Sequence, residues 1–181
     1  MASPIHQTRS ATDPSRLLPW LRRANPIFQQ LSDRDAAGLF SICTLKDEAR
    51  GRYLQRLSEV PASTFIVISG TVALRVMIKG MVRDLFGYGE GQIAGLIGLI
   101  DRSPVPYELV TVGDTQVIVI DTLKFSQLTA AFHPTSTAFL TALQPVMAAH
   151  LNELQTRILR ELTRGASMVA GSGETFGRGD R

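Results

Sequence analysis

Two short patterns in this sequence contain residue types that could do chemistry. The segment Gly89-Glu90-Gly91-Gln92-Ile93-Ala94 matches the loose glycine fingerprint of dinucleotide-binding loops, in which glycines let the backbone approach a pyrophosphate. His150 and Glu153 lie one turn apart on a predicted helix and would supply half of a metal site. No helix–strand alternation follows the glycines, and only three histidines occur in the whole sequence. We therefore interpret the glycines as turn residues and His150 as a residue of the surface or of a helix seam.

The remaining chemistry-bearing residues predict neither catalysis nor a bound cofactor. No nucleophile motif appears, because Ser69 lacks the neighbours of a strained elbow and no histidine–acid pair accompanies it. Arg157, Arg160 and Arg164 form a basic end to the last predicted helix, which complements the helix dipole. We expect a protein that is not an enzyme and that holds no metal and no cofactor.

Composition predicts one domain with a substantial core. The chain has 181 residues, of which 44% are hydrophobic and 19% charged, and its net charge of +3 is too small to indicate a nucleic-acid binder. The single cysteine, Cys43, lies in an apolar helical pattern and is interpreted as a packed thiol, which suits a reducing cytoplasm. The apolar run Ile93 to Ile100 is too short to span a bilayer, and no signal peptide is evident. The expected location is the cytoplasm.

Hydrophobic periodicity predicts a mainly β protein with flanking helices. Short strands separated by turn signals between residues 49 and 121 indicate an antiparallel jelly-roll barrel. Helices are predicted at 15–24, 33–46, 123–132 and 135–163, and Pro145 is expected to end or kink the last one. The domain therefore spans residues 15–163. Residues 1–14 are predicted to be a flexible N-terminus, and residues 164–181 a disordered, Gly/Ser-rich tail.

The last predicted helix carries an apolar stripe that needs a covering surface. Its members recur at spacings of four, three, four and four, so they share one face of the helix: Met147, Leu151, Leu154, Ile158 and Leu162. An exposed stripe of this length would be an apolar patch that soluble monomers avoid. We predict that the stripe is an interface, buried by a second copy of the chain or by another protein.

The order of these elements resembles the cyclic nucleotide-binding domain of the Crp/Fnr regulators. The segments that carry the resemblance fall in the family's order and spacing: Asn25-Pro26-Ile27-Phe28 with Leu31-Ser32, Ile66 to Val72, Gly89 to Ile93, and Val117 to Asp121 with Phe125. The resemblance implies a stand-alone domain of that fold. In the family the long helix forms the dimer seam, which agrees with the predicted interface.

The resemblance also implies where a ligand would lie, in a phosphate-binding segment that we call the cassette (residues 94–107). The family places a glutamate and an arginine there, for the ribose hydroxyl and the cyclic phosphate. At those two positions this sequence has Leu96 and Val105. The other candidate pocket residues are Gly95, Ile97, Gly98, Arg102, Pro106 and Tyr107. Each lost polar contact would cost about a few kcal/mol, so the pocket is expected to be degenerate and cyclic AMP binding is disfavoured. A shifted loop register would bring Arg102 to the arginine position.

Three functions stay open on this sequence. The favoured one is a non-catalytic regulatory or scaffold module that acts by protein–protein interaction, as a homodimer or with a protein partner. The alternative is a sensor of a cyclic nucleotide or another small ligand with an altered pocket. The third, an enzyme on this barrel, lacks the His/Glu ligand set of metal-dependent jelly rolls. Fewer than twenty residues follow Leu162, and no DNA-recognition helix is expected among them.

Overall fold

The computed structural model describes the backbone of residues 13–170 and the side chains of residues 13–160. The predicted flexible N-terminus, residues 1–14, lies almost wholly outside this range. Of the predicted tail, residues 171–181 lie outside it, and residues 164–170 continue the last helix, which was expected to end near residue 163. Across residues 13–170, no helix combines the length and the apolarity that a bilayer-spanning segment requires.

In the part of the chain that the structure describes, five helices flank the strands, three before them and two after. They follow a 3-10 turn at Pro14–Leu17 and are α1 (Leu18–Ala24), α2 (Pro26–Gln30), α3 (Asp33–Phe40), α4 (Thr122–Ala130) and α5 (Pro134–Ala170). Side-chain caps fix the starts of three of them, because Asn25, Ser32 and Asp121 each accept a hydrogen bond from a backbone N–H of the first turn.

Within residues 13–170, eight antiparallel strands form two four-stranded sheets. The strands are β1 (Cys43–Glu48), β2 (Tyr53–Gln55), β3 (Ser63–Ser69), β4 (Val72–Ile78), β5 (Met81–Tyr88), β6 (Ile93–Ala94), β7 (Glu108–Thr111) and β8 (Thr115–Asp121). One sheet has the order β1-β8-β3-β6 and the other β2-β7-β4-β5. The predicted jelly-roll fold is confirmed, although the two sheets do not close into a barrel.

The strands β3 and β8 are apolar on both faces because both faces are covered. Phe65, Val67, Val117 and Val119 point into a core between the two sheets, whereas Ile66, Ile68, Ile118 and Ile120 belong to a second core under the helices. Successive side chains of a strand point to opposite faces, so a strand buried on both sides reads as a continuous apolar run. This is why these two segments are the clearest strands in the sequence.

The helix predicted at 33–46 is wrong in its second half. The helix α3 ends at Phe40, and β1 begins at Cys43 and pairs with β8 from Cys43↔Ile120 to Glu48↔Thr115. The first strand therefore precedes the predicted start of the β region at residue 49. A short apolar segment fits a helical and a strand period equally well. Here the segment forms a strand because its backbone groups pair with those of β8. Burial raises the pKa of the Cys43 thiol to about 12, so the thiol stays un-ionised and acts as packing.

Helix α5 has two halves with different surroundings. Phe139, Ala142 and Leu143 are fully buried against the other helices, in a core that includes Phe28 and Phe125. Beyond them the helix runs along β5.

Pro145 was predicted to end or kink the last helix, and helix α5 continues through it, so it does not end there. Pro145 and Thr141, the residue four positions earlier, are both exposed. The Thr141 carbonyl that loses its helical donor therefore faces solvent, which can supply a donor in its place.

The glycine-rich loop is structural, as the turn interpretation predicted. Gly91 has φ = +80°, and a Cβ built there would lie 2.7 Å from the Cβ of Ala24. Its carbonyl accepts a hydrogen bond from Asn25 Nδ2 at 2.7 Å, and its N–H donates to Val67. The loop thus joins the end of α1 to the sheet. The strands that follow it within residues 13–170 pair antiparallel, unlike those of a dinucleotide-binding domain.

We expect Gly91→Ala to destabilise the fold by about 1–3 kcal/mol, because it adds both a strained φ and a clash with the α1 backbone. The matched control is Gly89→Ala in the same loop, where a Cβ meets nothing within 4 Å and φ is not positive. That variant should stay within about 0.5 kcal/mol of the wild type. Urea unfolding of the two variants measures both values. Equal destabilisation of both would show that the close approach to Ala24 is not what requires glycine.

Candidate functional site

A cavity of about 160 Å³ lies between the strand pair β4–β5, the cassette and the second half of α5. The strands contribute Leu74, Val76, Leu85 and Tyr88. The cassette contributes Gly95, Leu96, Ile97, Pro106 and Tyr107. Helix α5 contributes Met147, His150, Leu151, Leu154 and Ile158. Ile97, Leu151 and Ile158 are each more than a third exposed, so the cavity reaches solvent along the edge of α5.

No side chain with a formal charge at neutral pH lines this cavity among the residues that the structure describes. Its polar groups come from Tyr88, Tyr107 and His150. The hydroxyl of Tyr88 lies 2.9 Å from Nε2 of His150, and the two rings pack against each other and against Phe86. This cluster ties β5 to α5 at the wall of the cavity.

Burial keeps both members of the Tyr88–His150 pair uncharged near neutral pH. Burial is the largest influence on His150 and lowers its pKa below the ordinary value of 6.5; Arg157 acts in the same direction and Glu153 opposes it. Burial likewise raises the pKa of the Tyr88 phenol well above its ordinary value. The pair is therefore a neutral hydrogen bond inside an apolar wall.

A second tie between α5 and β5 is made by Arg157 at a β-bulge. The register passes from Leu74↔Phe86 to Arg75↔Asp84, so Leu85 is the extra residue of β5 and has no partner on β4. Arg157 Nη1 donates to the Leu85 carbonyl at 2.9 Å, and the guanidinium carbon lies 4.6 Å from the centroid of the Phe86 ring. Its other nitrogen, Nη2, donates to Glu153 at 2.7 Å. The arginine thus gives the backbone at the bulge a hydrogen-bond donor from α5.

This architecture matches known proteins. Residues 47–132 match the family model described as the cyclic nucleotide-binding domain. The protein has the fold of a cyclic nucleotide-binding domain. A solved cyclic nucleotide-binding domain from Methylobacillus flagellatus KT aligns with a TM-score of 0.72 at 18% identity, over 83% of this chain and 86% of the other. No curated protein matches the sequence.

Two further solved structures show how varied the proteins with this fold are. The sensor domain of the transcriptional regulator DNR from Pseudomonas aeruginosa aligns with a TM-score of 0.54 at 18% identity, over 91% of this chain and 98% of the other. The regulatory subunit of a cAMP-independent protein kinase A from Trypanosoma cruzi, bound to guanosine, aligns with a TM-score of 0.59 at 15% identity. That alignment covers 78% of this chain and 49% of the other.

The cyclic nucleotide-binding fold places the two substituted cassette positions in apolar surroundings. Leu96 is buried and borders the cavity, at the start of the 3-10 turn Leu96–Leu99. Val105 is buried in the core between the sheets and does not line the cavity. Arg102, the candidate replacement for the family's arginine, is exposed and is not among the lining residues.

The other cassette residues divide into structural and lining positions. Gly95 has φ = +78°, and its carbonyl accepts a hydrogen bond from the buried Thr64 hydroxyl at 2.9 Å. Gly98 is buried against Pro61 and does not line the cavity. Ile97, Pro106 and Tyr107 do line it. Five of the eight candidate pocket residues therefore meet at one cavity, namely Gly95, Leu96, Ile97, Pro106 and Tyr107.

The predicted interface stripe lies partly against the domain itself. Met147 and Leu154 are partly buried on the two cores, whereas Leu151 is 49% and Ile158 39% exposed. The side chain of Leu162 lies outside the described residues. The stripe was interpreted as needing a partner, and the structure shows that the domain's own cavity wall covers part of it.

Tyr88, His150 and Arg157 are the polar residues of this site that the sequence interpretation missed, and the apolar lining residues Leu74, Val76 and Leu85 were missed as well. His150 was set aside as a residue of the surface or of a helix seam, and Arg157 as a dipole-complementing charge. The one available signal was that His150 falls on the same helical face as Met147, Leu151 and Leu154. A polar residue inside an apolar stripe indicates a polar partner on the opposing surface.

The pKa of His150 generates a pH prediction. Because the folded-state pKa lies below 6.5, the unfolded chain binds the extra proton first as the pH falls through that value. The contribution of His150 to the free energy of unfolding is therefore fully present above pH 6.5. It decreases below that pH until the histidine of the folded state is protonated as well. We expect the melting temperature to fall between about pH 7.5 and 5.5, and His150→Gln to remove part of that fall.

Tyr88→Phe is the matched control, because burial rather than the hydrogen bond is the main cause of the pKa shift. This variant should keep the pH dependence while losing the Tyr88 hydroxyl. The two variants are compared with the wild type by differential scanning calorimetry across the same pH series. An unchanged pH slope in His150→Gln would show that this histidine is not the titrating group.

Proposed function

We propose that this protein is a non-catalytic regulatory or scaffold module that does not bind cyclic AMP and that acts through protein–protein association along helix α5. The observation that supports it most directly is the uncharged lining of the cavity. A cyclic phosphate placed there would be buried beside Leu96 with no cation among the lining residues. A buried ion without a partner costs several kcal/mol, which no apolar contact with the nucleoside offsets.

The size of the cavity supports the same proposal. Pockets that enclose drug-sized ligands measure about 300–1,000 Å³. The cavity of about 160 Å³ is smaller than that range, because Met147 and Leu154 of helix α5 occupy the space over the cassette. A nucleotide would have to displace that part of α5. The kinase regulatory subunit from Trypanosoma cruzi has a similar fold and belongs to a kinase that is independent of cyclic AMP.

We expect cyclic AMP and cyclic GMP at about 100 µM to leave the melting temperature unchanged, because a ligand stabilises only the state that it binds. A cyclic-AMP-binding domain run in parallel shows that the assay detects binding. Isothermal titration calorimetry should give no heat beyond dilution. A saturable rise in melting temperature that Arg102→Ala abolishes would refute the degenerate pocket and would assign Arg102 as the phosphate contact.

The association surface that we propose is the exposed side of the α5 stripe, and its proposed occupant is a second copy of the chain. Exposed apolar side chains include Leu151 and Ile158 on α5, and Met77, Met81 and Val82 at the tip of the β4–β5 hairpin. Helix α5 contacts β5, so the helix and the hairpin belong to adjoining elements. A helix that extends beyond its own domain with apolar residues on one face is suited to pairing with another helix like itself.

The double substitution Leu151→Glu with Ile158→Glu should shift a dimer to a monomer in sedimentation velocity, because two carboxylates would be buried at the seam. The matched control is Ala149→Glu with Thr156→Glu, which adds the same charges at the same spacing on exposed positions of the opposite helix face. Leu154 is left intact because it packs on the domain itself. A wild-type monomer whose size neither variant changes would refute self-association.

A second candidate function is a sensor of a small ligand other than a cyclic nucleotide. It is favoured by one observation, namely that the space under α5 is not completely filled by side chains. A ligand there would touch both the sheet and the helix.

A further inference from the structure

We propose that the cavity beneath α5 binds a small uncharged molecule with an apolar body of about one ring and a single hydroxyl or carbonyl group, and that Tyr107 and Tyr88 recognise this group. The proposal rests on the second candidate function above and names its class of ligand. It is carried by the volume, the lining and the hydrogen-bonding state of three polar side chains.

The volume sets the size of the ligand. Apolar cavities of about 150 Å³ stay dry and accept single-ring molecules such as benzene. The cavity here measures about 160 Å³ and is lined mainly by Leu, Ile, Val, Met and Pro side chains. It therefore fits a single ring or a short aliphatic chain. It excludes a nucleotide unless α5 moves.

The lining excludes a charged ligand. The nearest cation in the wall region, Arg157, is already bonded to Glu153 and to the Leu85 carbonyl, and it does not line the cavity. His150 lines the cavity with its pKa lowered by burial, so it supplies no positive charge near neutral pH. A carboxylate or phosphate placed here would have no counter-charge and would stay in water.

The tyrosines supply the polar recognition. Tyr107 is 6% exposed, and its hydroxyl makes no hydrogen bond to any residue that the structure describes. Tyr107 also contributes electrostatically to the raised pKa of Tyr88, which places the two phenols near each other. Among the described residues every buried side-chain polar atom has a partner, so the Tyr107 hydroxyl is not itself buried. It belongs to a residue that lines the cavity, and it can pair with a polar group of a ligand placed there. The Tyr88 oxygen, which already pairs with His150, retains a lone pair for a second hydrogen bond.

The position of the cavity gives the ligand a regulatory effect. The opposite walls belong to β4–β5 and to α5, so a bound molecule adds contacts between the two only when the helix is docked. A ligand shifts a conformational equilibrium by its difference in affinity between two states. Occupancy would therefore favour the docked helix over any displaced position.

The test uses phenol and toluene as probes, because they have nearly the same size and phenol has a hydroxyl group where toluene has a methyl group. Benzoate serves as a charged probe of similar shape. Each is titrated to about 5 mM into the full chain at pH 7.5, and binding is measured by melting temperature and by ¹H–¹⁵N chemical shifts. Phenol and toluene should both bind, phenol more tightly, and benzoate should not.

Two kinds of variant locate the binding. Tyr107→Phe should weaken phenol about fivefold, the size expected for one hydrogen bond, and leave toluene unchanged. Leu154→Phe and Val76→Phe add volume from opposite walls, and each should abolish binding of both probes while the circular dichroism spectrum stays native. Using two filling variants keeps the test decisive if one of them unfolds.

Three outcomes would overturn the proposal. Benzoate binding as tightly as phenol would contradict the uncharged ligand class. Phenol binding that persists in a folded filling variant would place the probe elsewhere. Absence of toluene and phenol binding to the folded wild-type protein would show that the cavity takes no ligand of this class. The proposed function fails on different observations, namely cyclic AMP stabilisation or an association state that the stripe variants leave unchanged.

Discussion

The docking of helix α5 on β5 is the interaction on which the rest of this site depends. The helix leaves the apolar core after Leu143 and follows β5, where two polar ties hold it. One is the hydrogen bond between the Tyr88 hydroxyl and Nε2 of His150, and the other is the donation from Arg157 to the carbonyl of Leu85 at the β-bulge. Because β5 is the edge strand of its sheet, its outer side has no neighbouring strand, and helix α5 supplies side-chain partners there.

Most of the fold was predictable because its main strands obey a simple rule. β3 and β8 are covered on both faces, so their sequences are continuous apolar runs between turn residues, and no helix of that composition would be so short. The error at 33–46 has the complementary cause. β1 is a partly exposed edge strand, and its extended conformation is determined mainly by its pairing with β8. The paired residues are about seventy positions apart in the chain. Local pattern carries no information about such a partner.

The candidate site was predictable in its chemistry but not in its geometry. The prediction of an uncharged pocket depended on Leu96 and Val105; Leu96 does border the cavity, whereas Val105 lies in the core between the sheets. The Tyr88–His150 pair was not visible, since 62 residues separate its members and neither lies in a motif. The stripe of α5 was ambiguous for a physical reason. Periodicity identifies the face of a helix that must be covered, but it does not distinguish a cover within the chain from a cover in another chain.

In the proposed function, both kinds of cover act on one helix. Leu154 faces the domain, whereas Leu151 and Ile158 line the cavity and are also exposed to solvent. In the proposed assembly, side chains that a second copy would touch are also those that a small ligand would touch. Two binding events that share a helix and its position are energetically coupled, and the coupling is reciprocal. A ligand that strengthens docking of α5 would change self-association by the same factor by which self-association changes ligand affinity. That reciprocity is what would make an apolar cavity with no nucleotide contacts useful to a regulatory domain.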